Sequence, residues 1–127
     1  MGGRMSKSVL VAVDDLFFVS KIAETAKHLS IPLLFARSQD EVIARALTEK
    51  PALLIVDLNS TRCQPVETIL QIKEDADLRH IPVVGFLSHV QADLKIKATM
   101  AGCDRVLPRS VFTTHLPEIL AEYTADS

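Results

Sequence analysis

Short apolar runs alternate five times with amphipathic stretches along this chain. The runs fall at about 8–13, 32–36, 52–56, 82–87 and 104–107. Each is too short for a stable helix, and most are rich in Val, Ile and Leu. Such unbroken apolar runs read as parallel strands buried on both faces rather than half-wet ones. Between them, apolar residues recur at helical spacing. Phe18, Ile22, Ala26 and Leu29 mark a first helix. Val42, Ile43, Ala46 and Leu47 mark a second, and Val66, Ile69, Leu70 and Lys73 a weaker third. Residues 91–100 form a fourth, with Leu94, Ala98 and Ala101 on one face, and Leu116, Ile119, Leu120 and Tyr123 form the last. The Phe17-Phe18 pair reads as core and helix-face packing.

Punctuation supports the same parse. Ser38-Gln39-Asp40-Glu41 is a capping-box sequence that starts the second helix. Pro32, Pro51 and Pro82 stand just ahead of strands, where a missing N–H breaks no ladder. Gly102 suits a left-handed cap after the fourth helix. Five strand–helix units imply an α/β fold with a parallel sheet covered on both faces. Right-handed crossovers leave few topologies. The expectation is a flavodoxin-like, doubly wound (βα)5 fold with strand order 2-1-3-4-5 and a cleft beside strands 1 and 3. One domain spans residues 1–127, with its core at about 7–123, and residues 1–8 form a short polar lead.

Composition narrows the function. The 127 residues are 48% hydrophobic and 24% charged, with a formal net charge of −2. That balance gives no electrostatic case for nucleic acid or an anionic membrane. No apolar run approaches a membrane span or a signal-peptide core. Cys63 and Cys103 have neither metal nor redox spacing. Cys103 reads as a small buried thiol and Cys63 as a loop residue, and both fit a reduced, cytoplasmic protein.

The informative polar residues sit at strand ends. Asp14 and Asp15 close the first run, Asp57 the third, Ser88 the fourth, and Arg109 follows the fifth. Open α/β sheets bind ligands at that edge. Three carboxylates gathered there would repel one another and, without metal, raise each other's pKa values, an effect that Arg109 would partly offset. They are hard oxygen ligands suited to weak, hydrated Mg²⁺ binding. Asp57 can act as a carboxylate nucleophile toward a phosphoryl group. Ser88 can donate to a phosphoryl oxygen, and Arg109 can pair with the carboxylate or the phosphoryl group.

These residues lie in four segments, 11–15, 54–57, 81–88 and 101–109, and together the chain resembles the receiver domain of bacterial two-component response regulators. The resemblance implies that Asp57 is the phosphoacceptor and that Asp14 and Asp15 are the acidic pair at the metal. It implies a further metal ligand in the Asn59 main-chain carbonyl and a switch hydroxyl in Ser88. It also implies a histidine kinase or phosphotransfer protein as donor, no enzyme activity of the ordinary kind, and a downstream protein partner at the face of the fourth helix, fifth strand and fifth helix. The chain departs from the family in several places. Arg109 stands for the usual Lys, and Ser110 for the Pro that follows it. Val106 replaces the switch aromatic, so no ring can turn at that position, and Ser88 with its loop is expected to carry the signal instead. Residues 58–64 lack the usual Met-Pro and Gly, and His89 replaces a small residue.

Two other readings compete. A pseudo-receiver would keep the fold as an interaction module without phosphorylation. A nucleotide, flavin or cobalamin binder would share the fold, since fold alone does not fix function. The latter lacks support: no Gly-rich loop follows the first strand, no Asp-x-His-x-x-Gly occurs, and Asp14-Asp15-Leu16 is not the Asp-x-Asp of a haloacid-type phosphatase.

Overall fold

The computed structural model describes residues 7–88 and 91–125. Five strands form one parallel sheet in the order β2-β1-β3-β4-β5. They are β1 (Val9–Ala12), β2 (Leu33–Ala36), β3 (Leu53–Asp57), β4 (Val83–Leu87) and β5 (Arg105–Pro108). The expected order and all five strands are present. β1, β3 and β4 are buried along their full length, as their unbroken apolar runs require, while the edge strands β2 and β5 are only partly covered.

Six helices are described: α1 (Leu16–His28), α2 (Gln39–Glu49), α3 (Pro65–Glu74), α4 (Ala92–Ala101), α5 (Arg109–Thr114) and α6 (Leu116–Thr124). The short α5 is additional to the five expected. Pro117 has no N–H to offer the Thr113 carbonyl, so α5 ends at Thr114, with His115 as its cap, and α6 begins anew. The capping box of α2 forms with a shifted return. Ser38 Oγ accepts from Glu41 N at 3.1 Å, while Glu41 Oε1 accepts from Arg37 N at 2.6 Å. Gly102 caps α4 in the left-handed region at φ 109°. Three non-glycine residues, Ser30, Lys50 and Gln64, also hold positive φ. Every peptide bond among the described residues is trans.

The two sheet faces bury different chemistry. The face under α2, α3 and α4 is aliphatic, built from residues such as Leu10, Leu54, Val56, Ile69, Ile72 and Val83. The other face, under α1, α5 and α6, carries a cluster of three rings, of which Phe86 and Phe112 are stacked and Phe18 is tilted against both. Phe18 and Phe86 have centroids 4.7 Å apart, Phe86 and Phe112 4.8 Å, and Phe18 and Phe112 5.8 Å. The neighbouring Phe17 is 90% exposed, so only one member of the Phe17-Phe18 pair is core. Cys63, expected in a polar loop, is buried with Cys103 in the aliphatic face. Burial pushes the Cys103 thiol up to about 11 and also raises that of Cys63.

Candidate functional site

β1 and β3 run side by side with Ala12 opposite Val56, so the residues that follow them emerge at the same sheet edge. Asp57 ends β3 and is 8% exposed. Its Oδ1 accepts from Asn59 N at 2.9 Å. Leu58 continues the ladder by donating its N–H to Phe86 O at 2.9 Å. The Leu58 side chain lies over Gly85, where any Cβ would stand 3.0 Å from its Cγ and Cδ1 atoms. Gly85 thus lets the loop after β3 seat closely on β4.

Asp14 and Asp15 do different things. Asp14 Oδ2 accepts from Ser60 Oγ at 2.8 Å, and Cys63 Sγ lies 3.9 Å from Oδ1. Ser60 N in turn donates to Asp57 O, so this serine ties the ends of β1 and β3 together. Asp15 is the N-cap of α1, accepting from Phe17 N and Phe18 N through Oδ1. Its Oδ2 accepts from an Arg109 guanidinium nitrogen at 2.8 Å. Arg109 therefore pairs with Asp15, and its guanidinium carbon lies 4.2 Å from the Phe18 ring centroid.

The expected mutual elevation of the three carboxylates is overturned at Asp15. The hydrogen bond from Arg109 holds its carboxyl below the usual range, because the cation sits nearer than the other acids. Asp57 is raised, chiefly by burial; the Asn59 amide and Arg109 pull it down, and Asp14 and Asp15 add the smallest upward pushes. A raised carboxyl binds its proton more tightly folded than unfolded. The associated stability is full below 3.8, the ordinary value, and is lost as pH rises through the folded pKa. Asp57→Asn is therefore expected to be more stable than wild type at pH 7, since it removes the charge that burial disfavours. The two should converge below the ordinary carboxyl range. Thermal melts across that pH span check this, and a less stable variant at pH 7 would reverse the sign.

Ser88 stands at the end of β4, as expected, with its hydroxyl turned to Asn59. Asn59 Oδ1 accepts from Ser88 N at 2.8 Å and from Ser88 Oγ at 3.2 Å. Asn59 Nδ2 donates to Gln91 Oε1 at 2.7 Å, just before α4. The Asn59 side chain thus bridges the loop after β3 to the loop after β4. Only its main-chain carbonyl had been expected to matter. Ser60, Cys63, Gln91 and the Phe18 ring were likewise absent from the expected set. The contacts that join Ser60 and Cys63 to Asp14 and Asn59 to Ser88 and Gln91 span 29 or more residues, and no local pattern marks such pairs. His89, read as a departure from the family, lies outside the described residues.

The donor chemistry suits a hydrated divalent cation: hard carboxylate oxygens stand at one edge, and one of them, Asp57, is buried there. The arrangement is less prepared. Among the described residues, no three His, Cys, Asp or Glu side chains are grouped to hold a metal ion. Both Asp15 oxygens are already engaged, one by α1 amides and one by Arg109. Asp14 and Asp57 are the residues left to hold such an ion.

Acids after β1 and β3, a hydroxyl after β4 and a cation after β5 stand at one edge of a 2-1-3-4-5 sheet, the layout that the resemblance to receiver domains implies. Comparison with known proteins agrees. No family model matches the chain. It is 21% identical over 123 residues to the polar-differentiation response regulator DivK of Brucella ovis, covering 97% of this chain and all of that one. In fold it is similar to a response regulator from Hahella chejuensis, with a TM-score of 0.84, 20% identity, and coverage of 94% and 96% of the two chains. It is also similar to the receiver domain of the sensor histidine kinase PA1611 from Pseudomonas aeruginosa PAO1, solved with a magnesium ion in the active-site cleft. There the TM-score is 0.81 at 14% identity, covering 95% of this chain and 99% of that one. The expected fold and the resemblance to response regulators both hold. No helix among the described residues is long and apolar enough to cross a membrane.

Proposed function

We propose that this chain is a phosphorelay receiver that accepts a phosphoryl group on Asp57 from a histidine kinase or phosphotransfer protein. The observation that carries the reading is Asp57 itself. It is a buried carboxylate at the end of a central strand, with an acidic pair on one side and a hydroxyl and a cation within the same rim. An Asp57 oxygen attacks phosphorus, the donor's phosphorus–nitrogen bond breaks, and an acyl phosphate forms. The Asn59 amide on Oδ1 fixes the carboxylate's orientation. Mg²⁺, bound weakly by Asp14 and Asp57 with the Asn59 carbonyl and waters, would neutralise charge on the transferring oxygens. The negative charge added at Asp57 draws the Ser88 hydroxyl from Asn59, which loosens the bridge to Gln91. That places the change at the start of α4, on the face proposed for a downstream protein partner.

Intact mass after incubation with acetyl phosphate and Mg²⁺ tests this. Wild type is expected to gain one phosphoryl group (about 80 Da). Asp57→Asn is expected to gain none. A wild type that never gains the group, with Mg²⁺ at tens of millimolar, would leave the fold as an interaction module only (the concentration is about what a loose, hydrated site needs).

A further inference from the structure

The Arg109 guanidinium is fixed from two directions. It donates to Asp15 Oδ2 at 2.8 Å. Its carbon stacks 4.2 Å from the Phe18 centroid and lies 5.9 Å from that of Phe86. Both rings are held in turn by Phe112, which is wholly buried. Asp15 is no freer, since its other oxygen caps α1. The pair therefore joins the start of α1 to the start of α5. A planar guanidinium can hold a carboxylate and a ring face together, whereas an ammonium is a compact, strongly hydrated point charge. Nor does arginine lose its proton at any ordinary pH. A divalent cation approaching Asp15 meets a permanent positive charge already bonded to that carboxylate.

We propose that Arg109 is a resident counter-cation that competes with divalent metal for Asp15, so that the Asp15–Arg109–Phe18 latch sets the metal affinity of the cleft. The inference rests on reading Asp14, Asp15 and Asp57 as the acidic site. With the latch closed, the metal finds Asp14 and Asp57. With it open, the metal gains Asp15.

Removing any nearby positive charge also strengthens cation binding, so the test separates the latch from bulk charge. Arg109→Gln removes the charge and the latch. Arg109→Lys keeps the charge and removes the stacking. Arg105→Gln removes a charge from the same strand region, where Arg105 faces Glu122 at 3.6 Å. Mg²⁺ affinity is read from amide shifts in NMR titrations, with circular dichroism confirming that each variant is folded. Arg109→Gln is expected to bind about tenfold tighter than wild type, and Arg109→Lys about threefold tighter, because charge repulsion at contact range is strong. Arg105→Gln should stay within about twofold, its charge being exposed and screened. An unchanged affinity in Arg109→Lys, an equal gain in Arg105→Gln, or no saturable binding in any variant overturns the latch. Phosphorylation plays no part in these readouts. A chain that binds metal as expected yet takes no phosphoryl group on Asp57 would sink the proposed function and leave the latch standing.

Discussion

Phe112→Ala should lower the stability of the chain by about 3–5 kcal/mol, the usual cost of emptying a ring-sized site in a close-packed core. Phe112 is 0% exposed and stacks on Phe86 at 18° between ring planes. It also flanks Phe18, so its loss opens a void and removes two aromatic contacts at once. A domain of this size has about 5–15 kcal/mol of stability in total, so the variant should sit near the edge of folding. Urea titration reads the effect. The midpoint is expected to fall by roughly 2 M, given a slope of about 2 kcal/mol/M. Phe112→Leu retains much of the volume and should lose less than half as much. Equal losses for Ala and Leu would mean that the ring stack, and not the filled volume, carries the stability.

Lys73→Met is expected to cost about 2–3 kcal/mol, because hydrogen bonds from a charged donor are the stronger kind. Lys73 Nζ donates to Arg79 O at 3.2 Å, to Ile81 O at 2.8 Å and to Asp104 Oδ2 at 3.0 Å. The same Asp104 oxygen accepts from Val83 N at 2.7 Å. One ammonium thus joins the end of α3, the approach to β4 and the approach to β5. Its stem crosses Gly102, where a Cβ would stand 2.7 Å from Lys73 Cγ. This pair lies partly out of water, with the lysine side chain 17% exposed. The open Arg105–Glu122 pair is the contrast, and Arg105→Met should change stability by less than about 0.5 kcal/mol. A Lys73→Met variant as stable as wild type would show that solvent replaces all three bonds without loss.

The strands were legible because strands buried on both faces must be apolar throughout, and few other elements in a chain this size show that pattern. The strand order followed from size and handedness. Periodicity failed where polar groups hide inside. The buried face of α3 runs through Thr68, Ile69 and Ile72, and Leu70, expected inward, is 43% exposed. Thr68 sits inward because its hydroxyl donates to Cys63 O, a partner that helical spacing does not reveal. α5 was invisible for a related reason: six residues are too few to show a period. The candidate site was legible as a set of strand-end residues. Their pairing was not, because Arg109 and Asp15 are 94 residues apart and no local pattern marks the Phe18 ring that lies against the guanidinium.

The unequal faces of the sheet give the molecule a built-in reporter. Three of its five phenylalanines cluster on one side, beneath Arg109, and the opposite core contains no aromatic ring. There is no tryptophan, and the one tyrosine, Tyr123, packs against the same aromatic side near the end of α6. Ring currents therefore spread the methyl resonances of that half and leave the aliphatic half near its ordinary positions. Methyls such as those of Ile22 and Leu116 should follow any movement of the guanidinium or the rings. Those of Ile69 and Ile72 should stay still, which supplies an internal reference within the same spectrum.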